Sequence, residues 1–221
     1  MNDKLFREVD LYIANLLAKE NKDHIQVTET LTQEKIPNAS ISPTQGKLLQ
    51  VLAQTCGAKN ILEIGTLCGY STLWLAEALP SGGRIISIEA DAHHARLAKD
   101  NIKQCTRGHQ IEIREGQALS ILKQIEEEVL DPFDMIFIDA DKPPYLEYFQ
   151  WAIKLSRAGS IIVADNVIRG GRVLDAQSLD EKVIGVQRLN SWLSACTTIT
   201  ATIIQTVGVK EHDGMVIAVV K

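Results

Sequence analysis

The sequence predicts an α/β fold, a doubly wound, seven-stranded sheet that is mostly parallel and carries an antiparallel C-terminal strand. Three observations carry this. Five short apolar runs, at 60–64, 84–88, 110–114, 134–138 and 160–164, alternate with stretches of helical periodicity, and such alternation implies parallel pairing through right-handed crossovers. The first run stops at Gly65 and passes through Gly69 into an amphipathic stretch near Tyr70. Strand, glycine turn and helix in that order bring a small ligand close to backbone N–H groups at a helix N-terminus. The last two runs, roughly 199–208 and 214–220, flank Asp213-Gly214, a hairpin signal that turns the final strand antiparallel to its neighbours.

Taken in order, Leu5, Phe6, Val9, Tyr12, Ile13, Leu16 and Leu17 recur at helical spacing, which predicts an amphipathic helix. Standing ahead of the α/β core, it is expected to cover the mouth of the site or a partner subunit. Residues 21–41 are polar and weakly patterned. Ser42-Pro43 reads as N-cap and first helical position of a helix through Leu48, Leu49 and Leu52 that stops at Gly57. Residues 1–221 are thus expected to form a single domain with an N-terminal helical cap over about 1–56.

Within the core, Ile61, Leu62 and Ile64 make a strand buried on both faces. Glu63 interrupts it. A carboxylate there is costly to bury, so it is expected to face a cleft and meet a cation or hydrogen-bond donors. A helix at about 70–79 ends at Pro80 and Gly82-Gly83, and the strand Arg84–Ile88 ends at Glu89. A helix from about Asp91 to Gln104, a strand at 110–114, a helix at about 117–129 and a strand at 134–138 come next. After a helix at about 144–156, Gly159 opens the strand 160–164, and a helix at about 178–195 precedes the hairpin.

With 221 residues the chain suffices for one sizeable core. Its net charge of −5 gives no electrostatic footprint for nucleic acid and no polybasic membrane patch. Met1-Asn2-Asp3-Lys4 leads into an amphipathic pattern rather than an apolar signal core, and no apolar stretch reaches membrane-spanning length. The expected location is cytoplasmic. Cys56, Cys68, Cys105 and Cys196 are scattered without a C-x-x-C pair, which argues against structural zinc and a disulfide framework; Cys68, in the glycine turn, reads as a small space-filler ahead of a partly exposed, modifiable thiol. His24, His93, His94, His109 and His212 lie outside the strand ends, and none is taken as base or ligand.

In an open parallel sheet, ligands bind beyond the carboxyl ends of the strands. Those ends collect Glu63, Gly65 and Thr66; Glu89; Gly116-Gln117-Ala118; Asp139-Ala140-Asp141-Lys142; and Asp165-Asn166. Glu89, 24 residues after Gly65, stands where an acid accepts hydrogen bonds from the ribose hydroxyls of a nucleoside. Glu89 and Asp91 would equally suit the dipole of the following helix. The turn Gly65-Thr66-Leu67-Cys68-Gly69 lacks the G-x-G-x-x-G pattern of dinucleotide sites. An acid at Glu63 repels phosphate but suits an ammonium and a sulfonium, so S-adenosylmethionine fits better than NAD. Asp139, Asp165 and Asn166 offer only hard oxygen ligands, which favours Mg²⁺, Ca²⁺ or Mn²⁺ over zinc or copper. Taken singly, Asp-Asn can make a turn and a strand-end Asp can cap the next helix.

The set E-I-G-T-x-x-G-Y-S (63–71), I-D-A-D-K (138–142) and A-D-N (164–166) resembles the cation-dependent small-molecule O-methyltransferases, the caffeoyl-CoA and catechol O-methyltransferase group. The resemblance runs through nearly the whole chain, including Ser-Pro-Thr-Gln-Gly (42–46) and the closing hairpin. It implies a Rossmann-like class I methyltransferase fold and a homodimer, with the N-terminal helix a candidate contributor. It assigns the methyl donor to Ile41, Glu63, Gly65, Thr66, Ser71, Glu89, Ala118 and Asp141, the divalent cation to Asp139, Asp165 and Asn166, with Mg²⁺ first, and the general base to Lys142. The implied reaction is methyl transfer to a hydroxyl of a small, vicinally dihydroxylated aromatic acceptor. The alternatives are a tRNA hydroxyuridine O-methyltransferase of the same family, a nicotinamide-dependent oxidoreductase and a donor-binding module without turnover. The missing G-x-G-x-x-G opposes the second, and intact Asp139, Lys142, Asp165 and Asn166 oppose the third. The stretch Asn166–Arg172 departs from the plant enzymes, which carry an aromatic and a polar residue after Asp-Asn. Arg169, Gly170 and Gly171 instead predict a flexible, cationic loop, so plant-type hydroxycinnamoyl-CoA specificity is not expected. Tyr145, Tyr148, Trp151 and Arg172 are candidates to flank the acceptor.

Overall fold

The computed structural model describes residues 3–128 and 130–221. Three helices lead the chain: α1 (Asp3–Leu17), α2 (Lys22–Gln33) and α3 (Pro43–Thr55). The second lies where the sequence shows little pattern. Its inward face includes two polar residues, His24 and Thr30, beside Val27 and Leu31, all buried, so apolar periodicity does not reveal it. Asn21 caps it by accepting from the amides of Asp23 and His24. A capping box formed by Ser42 and Gln45, with Pro43 in the first turn, starts α3.

Alternation then sets in with β1 (Asn60–Ile64), α4 (Tyr70–Ala78), β2 (Arg84–Glu89), α5 (Ala92–Lys103), β3 (Ile111–Glu115), α6 (Ala118–Glu127), β4 (Phe133–Ile138), α7 (Tyr145–Lys154) and β5 (Ser156–Ala164). The chain closes with α8 (Glu181–Ala195), β6 (Ile199–Thr206) and β7 (Asp213–Val220). The Met1-Asn2 start and the last residue of the helix expected over 117–129 lie outside the described residues.

The seven strands form one sheet in the order β3-β2-β1-β4-β5-β7-β6. The first five pair in parallel, and β7 runs antiparallel to both β5 and β6. Strand order reverses between β1 and β4, the topological switch point at which open α/β sheets bind ligands. Two departures from expectation concern β5 and the segment after it. The strand begins at Ser156, and its register against β4 shifts between Phe133 and Met135. Gly159 (φ +88) therefore lies inside an irregular strand rather than opening it. Residues 169–174 form a 3-10 segment broken at Gly170 and Gly171. It is tied down because the Asp213 carboxylate accepts from the amides of Ile168 and Arg169, both at 2.9 Å.

Each face of the sheet carries its own core. Leu62, Ile64, Ile136 and Ile138 pack toward α6, α7 and α8, with Leu122, Phe149 and Val186 among their partners. Ile61, Met135 and Phe137 pack toward α3 and α4, with Leu49 and Trp74. Side chains alternate across a strand, so Glu63 shares the α4 side with Ile61. No helix among the described residues is long and apolar enough to cross a membrane.

Candidate active site

At the end of β1 the backbone turns with Gly65 at φ +97. A Cβ at this position would lie 2.0 Å from the Asp139 carbonyl oxygen. Glycine is thus required because the ends of β1 and β4 touch. The turn is held from the other side by Glu89, whose carboxylate accepts from the amides of Thr66 (3.2 Å), Leu67 (2.8 Å) and Asp91 (2.9 Å). Asp91, not Glu89, caps α5.

Glu63 departs from expectation. It is fully buried and does not line the cleft. The α4 side of β1 gives it hydroxyl partners instead: Ser71 at 2.6 Å, together with Thr72 and Ser87. Burial pushes its carboxyl up to about 7, against the pull of these three donors. The sequence shows that the acid needs donors, but the depth of its site depends on which way the strand faces.

The other acids meet beyond β4 and β5. Asp139 takes the Lys142 ammonium on Oδ1 at 3.1 Å. Asp165 is buried and accepts from the Asn166 amide at 2.7 Å. Burial and then the charge of Asp139 push the Asp165 carboxyl above the usual carboxylate range, while Lys142 pulls it down. Asn166 is left-handed, with φ +58, a conformation asparagine tolerates better than most residues. Lys142 is buried and far from the surface fate usual for lysine. Its Nζ also donates to the Tyr145 hydroxyl at 2.8 Å and the Asp165 carbonyl at 3.3 Å.

Tyr145 therefore does not flank an acceptor. It is fully buried, and its hydroxyl lies 2.9 Å from the Ile138 carbonyl and 2.6 Å from that of Asp165, tying the ends of β4 and β5 together under Lys142. Trp151 stacks beside Lys154, and Arg172 pairs with Asp180 at 3.1 Å; neither lines the cleft or the space beside it. Tyr148 does line the cleft, donating to Asp141 at 2.7 Å.

Two cavities adjoin at these residues. The larger, of about 520 Å³, is lined by Ile41, Gly65, Thr66, Ser71, Glu89, Ala118, Asp139, Asp141, Lys142 and Asn166. Sequence reasoning misses further lining residues, among them Leu67, Tyr70 and His94. His94 reads from sequence as part of a solvated helix, whereas it is half-buried at the cleft and its neighbour His93 is the exposed one of the pair. The smaller cavity, of about 230 Å³, is lined by Asp165, Asn166, Arg169, Lys210 and Asp213 among others. Ile41 and Asn166 line both, so the two spaces share a wall.

The model of the O-methyltransferase family matches residues 17–220. A catechol O-methyltransferase from Niastella koreensis is 55% identical over 221 residues, covering all of both chains. Among solved structures, the O-methyltransferase from Bacillus cereus in complex with SAH is 46% identical, covers 99% of each chain and superposes with a TM-score of 0.95. The O-methyltransferase TomG from Streptomyces achromogenes, in complex with SAM, is 42% identical with a TM-score of 0.96, covering 100% of this chain and 99% of that one. A family match spanning all but the ends, a full-length relative sharing more than half its residues, and a cleft at the switch point of a seven-stranded sheet agree: the chain belongs to the O-methyltransferase family, as an S-adenosylmethionine-dependent enzyme.

Proposed function

We propose that the protein transfers a methyl group from S-adenosylmethionine in the larger cavity to one hydroxyl of a small catechol-like acceptor in the smaller one, with a divalent cation that Asp139, Asp165 and Asn166 would hold. The observation that carries this reading is the shared wall. Asn166 lines both cavities, Asp139 lines the larger and Asp165 the smaller. The relative from Niastella koreensis, alike along its full length, is named a catechol O-methyltransferase.

The residues present fit a hard cation. An ionised carboxylate offers roughly four acceptor positions. The described side-chain hydrogen bonds give Asp139 the Lys142 ammonium and Asp165 the Asn166 amide. Two carboxylates crowded at a mostly buried rim, with acceptor capacity to spare, favour a cation beside them. No group of three His, Cys, Asp or Glu side chains among the described residues is arranged to hold a metal, so the amide oxygen of Asn166 would complete the set. Oxygen donors alone suit Mg²⁺ first, then Ca²⁺ or Mn²⁺. When bound, the cation supplies Lewis-acid stabilisation of the ionised acceptor hydroxyl and helps to orient it.

The rest falls to the chain. Ionising a phenol of pKa near 10 at neutral pH costs roughly 4 kcal/mol. Lys142 takes the proton as the neutral amine, and the ammonium so formed is held by Asp139, Tyr145 and the Asp165 carbonyl. On the donor side, three amides occupy the Glu89 carboxylate, which leaves acceptor capacity for a ribose hydroxyl. Holding donor and acceptor in line across the shared wall supplies much of the remaining acceleration.

The chain is further proposed to act as one domain, capped by α1–α3, in the cytoplasm, where its four free cysteines stay reduced. A homodimer is proposed through α1, whose Val9, Leu11, Tyr12, Ile13, Leu16 and Leu17 are exposed; sedimentation tests it. A net charge of −5 gives the chain no overall attraction for nucleic acid.

The deciding experiment follows labelled methyl from S-adenosylmethionine to catechol with Mg²⁺, with and without chelator. Chelation should abolish transfer, and Asp165→Ala should lower turnover about 100-fold or more while donor affinity stands. Undiminished turnover in chelator overturns the cation, and failure to methylate any catechol overturns the acceptor class.

A further inference from the structure

We propose that the smaller cavity selects catechols bearing a carboxylate, gripped by Arg169 and Lys210, so that dihydroxybenzoate- and dihydroxycinnamate-type acids are preferred over neutral or amine-bearing catechols. The proposal rests on the reading of that cavity as the acceptor site.

Both cations line the space beside Asp165 and Asn166, and no ion pair among the described residues includes either. Arg169 comes three residues after the metal-ligand candidate Asn166 and is held in a left-handed conformation, φ +56. Its backbone amide is clamped by Asp213 at 2.9 Å. The guanidinium is left without a protein partner among the described residues: its Nε is buried and has no hydrogen bond. A buried donor without an acceptor is costly, and a planar guanidinium matches a carboxylate better than any other anion-binding side chain.

Lys210 reaches in from the β6–β7 connection. Its Nζ donates to the Asn38 carbonyl at 3.1 Å, which leaves two of its three N–H groups for a ligand. Burial draws its pKa down, while Asp139 and Asp165 draw it up; an anion in the cavity would hold the ammonium charged. Three acids, Asp165, Glu211 and Asp213, share the wall; Asp165 is given to the proposed cation, and none of the three forms an ion pair with Arg169 or Lys210 among the described residues. The Asp213 Oδ1 is taken by the amides of Ile168, Arg169 and Gly214, and Glu211 is exposed. The volume of about 230 Å³ falls below the range of roughly 300–1,000 Å³ typical of drug-sized sites, and it suits a single ring with a short substituent.

The test compares kcat and KM of the wild-type enzyme, at saturating donor and Mg²⁺, for a vicinal dihydroxybenzoate, its uncharged amide and the matching benzylamine. The benzoate should be preferred over the amide by about tenfold or more in kcat/KM, with the benzylamine poorest. The preference should appear in KM, which separates charge recognition from the differing acidity of the three phenols. Lys210→Gln and Arg169→Gln should each shrink the benzoate-to-amide ratio, and Lys210→Glu should reverse the order of benzoate and benzylamine. Turnover of all three within about twofold, or a preference for the amine, overturns the proposal while leaving catechol methylation in place. Transfer to none of the three removes the acceptor reading and the proposal together. The wild-type comparison does not depend on any variant folding.

Discussion

Tyr145 positions rather than reacts. Its hydroxyl holds two strand-end carbonyls and receives the Lys142 ammonium, so Tyr145→Phe removes the support while keeping nearly the whole ring. We expect kcat to fall about tenfold with donor affinity unchanged within about twofold. The freed carbonyls should lower stability by about 1–3 kcal/mol. Steady-state kinetics, calorimetry with S-adenosylmethionine and a melt separate these effects; a variant that loses donor affinity and kcat alike would mark Tyr145 as general scaffolding. Gly65→Ala, by contrast, strikes backbone. The new methyl meets the Asp139 carbonyl and the residue sits at φ +97, so we expect a loss of about 1–3 kcal/mol with weakened donor binding. The two cases differ in legibility. Asp139, Asp165, Asn166 and Lys142 could be placed from strand ends alone. The duty of Tyr145 exists only once the carbonyls of β4 and β5 are neighbours, and a tyrosine after a strand end reads first as a wall of the acceptor site.

At the scale of elements, α1 is set against the rest of the chain by a polar contact. Its Asp10 is buried, accepting from the Thr44 hydroxyl and from the Val209 amide at 2.9 Å. Gly208 is pressed so near that a Cβ there would stand 2.3 Å from the Asp10 carboxylate. Asp10 therefore joins α1 to the start of α3 and to the connection that carries Lys210. Asp10→Ala should cost about 1–3 kcal/mol of stability. It should also raise KM for the acceptor while leaving donor affinity alone; an unchanged acceptor KM would mean the connection holds itself. Periodicity finds α1 correctly, but it cannot tell that the apolar face points outward and the acid inward. The same blindness hides α2, whose inward face carries His24 and Thr30. The start of β5 escapes for another reason: glycine signals a strand boundary and a bulge alike. Where elements are read by hydrophobic period, a helix packed through polar side chains leaves little trace.

Across the whole molecule, two buried titrating groups rest against α4 and push stability in opposite directions. His24 packs on Trp74 at 4.3 Å between ring centroids, its Nε2 buried without a partner. Burial draws its pKa from 6.5 to about 4. Between those values the unfolded chain binds a proton that the folded chain refuses, so stability falls as pH drops. Glu63 runs the other way. Its carboxyl rises from 4.5 to about 7, so the folded chain keeps a proton the unfolded chain has lost, and stability falls as pH rises through that window. Each effect amounts to roughly 3 kcal/mol at about 1.4 kcal/mol per pH unit. Between about pH 4.5 and 6.5 they cancel in the parent protein. Removing one exposes the other. His24→Phe should make stability slope downward with rising pH relative to the parent, and Glu63→Gln should make it slope upward, each by about 1.4 kcal/mol per unit. Urea unfolding at several pH values across the window, read as the difference from the parent, cancels the contributions of every other group. Curves that run parallel to the parent would show that neither side chain changes its proton on folding, and the hydroxyls around Glu63 would then be holding a carboxylate that stays charged in the core.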